Sequence, residues 1–386
     1  MRYVPRILED DLKKAARHFA ALIVTGPRRA GKTTLLRRCF PRAAYRLVED
    51  PDIIARLRAD PRSFLDDLPL PVILDEIQNV PEILSYVRTR LDAAPRRKGL
   101  WILTGSQEAP LMQGVTESLA GRAAVFHLFP FSTAESTKVS MLRGGFPEPL
   151  ARPSVAQVWF RSYVQTYLER DVRAITAIRD LATFRRFLAL VASRTGQILN
   201  KTDLAGPLGA SVPTMTEWLH ILEVTGQIII VPPYFENFGK RLVKSPKIYL
   251  MDQGLACHLL GIETAPELAR SPFLGAIFEG FIASEILKHQ VNHGRAREIY
   301  YFRDQQGLEV DFVVPTRSRH LVLIEAKATQ TPTPGLAKPL RQLAAAIAHP
   351  VTPFVVHRPA GATEGIATLG PGVRAGGIRE LLDILG

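Results

Sequence analysis

Apolar positions fall in short continuous blocks separated by stretches of helical period. Ala21-Leu22-Ile23-Val24 reads as a buried strand, and after a glycine-containing turn the chain resumes as a helix. Further apolar runs at 45–48, 72–74, 100–104 and 124–128 read as strands. Between them, 81–94 carries Ile83, Leu84, Val87 and Leu91 at helical spacing. Pro51-Asp52 and Pro81-Glu82 put proline and an acid where the first turn of a helix favours them. Strands alternating with helices predict an α/β domain with a parallel sheet over residues 1–130.

The pattern changes over 131–260. A long helix is expected at 153–178, whose Arg161, Arg170 and Arg173 suit a salt-bridged face better than a nucleotide-sensing lid. Helices follow at 183–195, 201–208 and 212–225; Ser211 serves as N-cap of the last, Pro213 sits in its first turn and Gly226 stops it. Trp218, Leu219 and Leu222 form its apolar face. Strands at 227–231 and 247–251, joined by a loop through Asn237 and Gly239, complete a hairpin. Three helices and a hairpin look like a winged helix. Its third helix exposes Thr214, Thr216, Glu217, His220 and Glu223 without arginine or lysine, which argues against base reading. The wing carries Lys240, Arg241, Lys244 and Lys247, suited to phosphate contacts.

Over 261–386 the expected elements are a helix at 275–289 and strands at 299–303, 307–314 and 321–327. The helix carries Glu279 and Glu285, with Phe278, Phe281, Ile282 and Ile286 on its apolar face. By the period of two, Glu309 and Asp311 share one face of the second strand, and Glu325 and Lys327 share one face of the third. Antiparallel pairing through the loop at 315–320 would bring Asp311 to Glu325 and Lys327.

Length and composition narrow the class. A chain of 386 residues exceeds one ordinary core, and 46% hydrophobic with 22% charged residues excludes global disorder. A net charge of +12 suits a polyanionic partner, or simply a basic proteome. Cys39 and Cys257 are the only cysteines, so neither a disulfide framework nor a cysteine metal site is available. No apolar run reaches the roughly 18 to 20 residues of a membrane span, and residues 1–11 lack a signal-peptide core, so a cytoplasmic protein with no membrane partner is expected.

The first chemical landmark is Gly26-Pro27-Arg28-Arg29-Ala30-Gly31-Lys32-Thr33, followed by Thr34, which fits G-x-x-x-x-G-K-[ST]. Gly26 and Gly31 allow a tight turn whose N–H groups cradle phosphate oxygens. Lys32 would reach the β- and γ-phosphates, and the Thr33 hydroxyl would complete a Mg²⁺ shell. The strand ending Asp75-Glu76 supplies a carboxylate to hold Mg²⁺ through water, and Glu76 to orient and deprotonate the attacking water. Thr104 and Ser106, at the end of the neighbouring strand, are candidates to touch the γ-phosphate, with Ser106 preferred. Arg122, after Ser118-Leu119-Ala120-Gly121, either caps its helix and pairs with an acid or enters a nucleotide site of its own or a neighbouring subunit.

GPRRAGKTTL, ILDEIQNVP, LTGSQ, LAGR with the following strand and Pro130-Phe131-Ser132, and GGFPEP at 144–149 together resemble a large prokaryotic family of AAA-type ATPases. Its members carry a C-terminal domain of uncharacterised function and are grouped near the signal-transducing STAND ATPases. The resemblance implies ATP and Mg²⁺ as cofactors. The C-terminal pattern resembles PD-(D/E)xK nucleases, with Glu279 as the helical acid, Asp311 as the strand acid, and Glu325 and Lys327 as the Glu-x-Lys pair; Val310 stands where that signature has proline. This resemblance implies Glu279, Asp311 and Glu325 as metal ligands and Lys327 as a catalytic group, with Asp304, Glu309 and Gln342 as further members.

The expected architecture is therefore α/β: a parallel-sheet P-loop ATPase domain (1–130), a helical lid with a winged-helix-like unit (131–260), and a restriction-endonuclease-like domain (261–386). The expected function is Mg²⁺-dependent ATP hydrolysis acting on DNA, in a possible homo-oligomer. The competing expectation is a nucleotide-gated switch or scaffold with an inactive nuclease-like fold and a protein partner. A processive translocase gains little, since no stacking aromatics interleave with a basic groove.

Overall fold

The computed structural model describes residues 3–106, 119–168, 181–234, 244–316, 319–358 and 365–386. It divides into two compact units, whose main segments meet between Phe131 and Ser132. The stretches expected as second and third domains lie mostly in the second unit, residues 131, 224–226 and 291–295 excepted.

The first unit is built on five parallel strands: β1 (Ala21–Thr25), β2 (Ala44–Leu47), β3 (Val72–Asp75), β4 (Trp101–Thr104) and β5 (Ala123–His127). Their order is β2-β3-β4-β1-β5, so β4 is inserted between the strand that leads into the phosphate loop and the strand that ends in the acids. Helices α1 (Glu9–His18), α2 (Lys32–Cys39), α3 (Pro51–Ala59), α4 (Pro61–Asp66) and α5 (Ile83–Ala93) accompany the sheet. Ile23, Leu74 and Leu103 enter one core and Val24, Ile73 and Ile102 the other. Both faces being covered explains why β1 is buried throughout, where an alternating strand would leave one face polar. The expected helix at 81–94 begins at Ile83, two residues late, after a 3-10 turn at Ile77–Asn79 and a short turn through Pro81 and Glu82.

In the second unit, α6 (Ala156–Tyr163), α7 (Leu181–Ser193), α8 (Lys201–Ala205) and α9 (Val212–Val224) surround one core with the antiparallel pair β6 (Ile228–Val231) and β7 (Lys247–Leu250). Met215, Trp218, Leu219, Ile221 and Leu222 are the buried face of α9, and the Ser211 hydroxyl accepts the Thr214 N–H at 3.2 Å as its cap. Gly144 and Gly145 of GGFPEP pack on Asp252, which accepts the Gly145 N–H at 2.7 Å and caps helix α10 (Gln253–Leu259). That motif is thus a structural joint.

The same unit contains a six-stranded sheet ordered β12-β13-β11-β10-β9-β8. Its strands are β8 (Tyr300–Arg303), β9 (Glu309–Pro315), β10 (Leu321–Lys327), β11 (Val351–His357), β12 (Ala367–Gly370) and β13 (Val373–Gly376). The expected antiparallel pairing of β9 with β10 is present, with Phe312 opposite Ile324. Helix α11 (Leu274–Asn292) and helix α12 (Ala337–Ala346) belong to this region, α12 contributing Ala337, Leu340 and Leu343 to the sheet's core. Arg170, Arg173, Ser118, Asn237, Gly239, Lys240 and Arg241 lie outside the described residues. Among the described residues no helix is long and apolar enough to cross a membrane.

Candidate functional site

The phosphate loop follows the carboxyl end of β1. Gly26 has φ +140°, and a Cβ there would lie 2.2 Å from the Leu128 carbonyl oxygen, so the loop's first position requires glycine on conformation and on space. Gly31 (φ +101°) begins α2, and Arg29 (φ +62°) makes the left-handed turn between them. Pro27 and Ala30 are buried, Arg28 is half-buried, and Arg29 and Thr34 are exposed. The Lys32 ammonium donates to the Gly26 and Pro27 carbonyl oxygens, each at 3.0 Å, which curls the loop around its own lysine.

Asp75 ends β3 beside this loop. Its Oδ2 accepts the Thr33 hydroxyl at 2.6 Å and the Tyr45 hydroxyl at 2.8 Å. Burial raises the Asp75 carboxyl above its usual range, with those two hydrogen bonds opposing the shift. Asp75 Oδ1 is buried without a hydrogen-bond partner, and so is Thr104 Oγ1 at the end of β4. Glu76 takes a left-handed conformation (φ +60°), which turns it away from the strand's course. Gln78 Nε2 donates to Glu76 Oε2 while Gln78 Oε1 accepts the Ser106 N–H at 3.2 Å, and Arg28 Nη1 lies 3.9 Å from Glu76 Oε2. Gln78 therefore links the candidate base to the strand end that carries Ser106. The sequence reading missed Tyr45 and Gln78. The IQN run after the acids held the second, and nothing local marked the first.

Of its two expected roles, Arg122 holds the first in the structure, pairing with an acid. It immediately precedes β5, at the amino edge of a parallel sheet whose carboxyl edge carries the phosphate loop. There its guanidinium forms a bidentate pair with Asp92 of α5, at 2.5 and 3.2 Å. An action on the nucleotide of its own subunit is excluded by that position.

In the second unit, Glu279 (α11), Asp311 (β9), Glu325 and Lys327 (β10) converge as the period of two and the pairing predicted. Lys327 Nζ lies 2.7 Å from Glu325 Oε1 and 3.4 Å from Asp311 Oδ2. Asp311 Oδ2 also accepts the Ala326 N–H at 2.9 Å. Asp311, Glu325 and Lys327 border a cavity of about 1000 Å³ with Glu309, Lys338 and Gln342 on its wall. Burial, then the neighbouring Asp311 charge, pushes Glu279 and Glu325 up to about 7. Asp304 accepts the Gln306 and Leu308 N–H groups and so serves its turn. Glu285 binds Thr133 and Lys288.

Comparison with known proteins places the chain. Uncharacterized proteins of Mycobacterium tuberculosis (Rv2008c) and Mycobacterium bovis (Mb2031c) are each 32% identical to it over 331 residues, 83% of this chain and 73% of each relative. The chain belongs to their family. Residues 18–137 match the AAA domain, while 134–265 and 274–365 match two domains of unknown function (DUF8612 and DUF4143). Among solved structures, the Walker-type ATPase PABY2304 of Pyrococcus abyssi is similar at 17% identity and a TM-score of 0.46, covering 65% of this chain and 94% of that one. The first unit of this family member is an AAA-type P-loop domain of nucleotide-binding type.

The two regions differ in their fit to Mg²⁺. In the phosphate loop, the Thr33 hydroxyl beside Asp75 and the orphaned Asp75 Oδ1 suit a hard cation with phosphate and water as its other ligands. In the C-terminal pocket, the expected ligands Glu279 and Asp311 face the Lys247 ammonium, at 2.9 and 3.6 Å, and Glu309 faces it at 2.7 Å. Among the described residues no group of three or more His, Cys, Asp or Glu is arranged to hold a metal. Of the expected ligands Glu279, Asp311 and Glu325, the first two face the Lys247 ammonium and Glu325 faces that of Lys327. Lys247 is buried, so of the four cations expected to contact phosphates only Lys244 is exposed among the described residues.

Proposed function

We propose that the chain is a Mg²⁺-dependent ATP hydrolase whose nucleotide state governs how its second unit engages a partner. The observation that carries the reading is Thr33 bonded to an Asp75 with a free buried oxygen, directly behind a glycine-turned phosphate loop. In this reading the backbone from Gly26 to Thr34 cradles the phosphates, and Lys32 exchanges its loop carbonyls for β- and γ-phosphate oxygens. Thr33 and Asp75 would hold Mg²⁺, which supplies charge neutralisation across the phosphates. Glu76 accepts the proton of the attacking water, and Ser106 or Thr104 meets the γ-phosphate. Arg122 acts, if on any nucleotide, on that of a neighbouring subunit in a homo-oligomer.

For the second unit we propose a winged-helix-like part joined to a restriction-endonuclease-like part, with DNA as partner. The convergence of Glu279, Asp311, Glu325 and Lys327 and the net charge of +12 support it. A second reading is favoured by Lys247: a nucleotide-gated switch whose nuclease-like fold does no chemistry and whose partner is a protein. ATP turnover by the full chain with and without plasmid DNA tests both, with Lys32→Ala as control. DNA binding that weakens steeply with salt, with ATP-dependent cleavage abolished by Asp311→Ala, supports the first. Turnover with neither binding nor cleavage supports the second.

A further inference from the structure

Lys247 opens β7, a strand buried along its whole length, and is 2% exposed. Its ammonium lies 2.7 Å from Glu309 Oε1, 2.9 Å from Glu279 Oε1 and 3.6 Å from Asp311 Oδ1. The three carboxylates come from two elements, α11 and β9, and meet only at this point. The Tyr301 ring lies 5.5 Å from the ammonium, and the Tyr249 hydroxyl donates to the same Glu279 oxygen that Lys247 reaches. On the far side of Asp311, Lys327 bonds the second oxygen at 3.4 Å and Glu325 at 2.7 Å. Each Asp311 oxygen thus faces its own ammonium.

A divalent ion would need several of these oxygens to converge within about 2.0 to 2.6 Å of one point, and the point is filled. A compact ammonium with three N–H bonds suits three carboxylates in the same way. Displacing it would strand a buried ammonium, 2% exposed, away from its three carboxylates, a cost that a weakly held divalent ion does not offset. We infer that Lys247 is the resident cation of the C-terminal acidic pocket, so that the pocket takes no divalent metal. This deepens the switch reading and rests on it for its consequence: the fold keeps the constellation of a metal-dependent nuclease with a side chain in the metal's place.

The test is a Mn²⁺ titration of the nucleotide-free full chain, followed by the electron paramagnetic resonance of free Mn²⁺. Wild type and Asp311→Asn are expected to bind equal amounts. Lys247→Met is expected to gain about one Mn²⁺ per chain, and Lys247→Met/Asp311→Asn to lose it again. Two results overturn the inference: a wild-type chain that binds one more Mn²⁺ than Asp311→Asn, or a Lys247→Met chain with native circular dichroism that gains none. The wild-type comparison decides even where Lys247→Met does not fold. Because neither DNA nor ATP is present, the metal count is independent of the cleavage assay. Metal-free cleavage of DNA would sink the switch reading and leave this inference standing.

Discussion

Replacing Lys247 with methionine keeps most of the side chain's volume and removes its charge. The loss leaves Glu279, Glu309 and Asp311, previously 2.7 to 3.6 Å from the ammonium, facing one another. Breaking a buried ion pair by removing one partner costs about 3 to 5 kcal/mol, since the remaining charge is stranded in low dielectric. Here Lys247 serves three carboxylates, but Glu309 keeps Arg303 at 3.4 Å and is a third exposed, so the lower half of that range applies. The second unit can be followed alone: Trp159 and Trp218 belong to it and Trp101 to the first, so a Trp101→Phe background reports its unfolding by fluorescence. With a urea dependence of about 3 kcal/mol per molar, Lys247→Met should lower the midpoint by roughly 1 M. Adding Glu279→Gln should recover part of that shift, a coupling of about 1 to 3 kcal/mol in the double-mutant cycle. A midpoint shift below about 0.3 M, or strictly additive mutations, would refute the reasoning, because the ammonium would then carry no charge burden.

Two further expectations concern the first unit. Gly26→Ala forces a Cβ to within 2.2 Å of the Leu128 carbonyl oxygen at φ +140°; it should destabilise that unit by about 2 to 4 kcal/mol and abolish binding of a fluorescent ATP analogue. Gln78→Leu removes the link between Glu76 and the Ser106 N–H, and should lower kcat about tenfold with nucleotide affinity unchanged, read by turnover and equilibrium titration side by side. The thiols give a third: burial pushes Cys39 up to about 11 and Cys257 up to about 12, so at pH 8 the thiolate of the first should be about two hundredfold and that of the second about two thousandfold scarcer than in an exposed thiol, and iodoacetamide should modify both slowly, Cys257 the more so, until urea exposes them.

What could be read from the sequence was set by how local each feature is. The phosphate loop and the Asp75-Glu76 pair are contiguous in the chain, and both stand at the carboxyl edge as their strands dictate. Asp311, Glu325 and Lys327 were also foreseeable, since a period of two and one short connection fix their faces. Tyr45 reaches Asp75 from a neighbouring strand, and only the order β2-β3-β4 puts it there. Arg122 was legible in part: a residue just before a strand of a parallel sheet stands at its amino edge, but its acid partner Asp92 comes from a separate helix. Lys247 stands among four cations of the expected wing, but a hairpin strand alternates its faces, and the face of Lys247 meets the carboxylates of α11 and β9. A buried cation and an exposed one are the same letter until the partner elements are known.

In the proposed reaction Glu76 performs the proton transfer in a Mg²⁺-dependent hydrolysis of ATP bound at the Gly26–Thr34 loop. The most direct measurement compares ATP affinity and single-turnover hydrolysis in wild type and Glu76→Gln, with Lys32→Ala as the non-binding control. Glu76→Gln should bind ATP within about twofold of wild type and hydrolyse it at least about a hundredfold more slowly, general-base removal being worth about 10² to 10⁴. Hydrolysis by Glu76→Gln at the wild-type rate would contradict that role for Glu76.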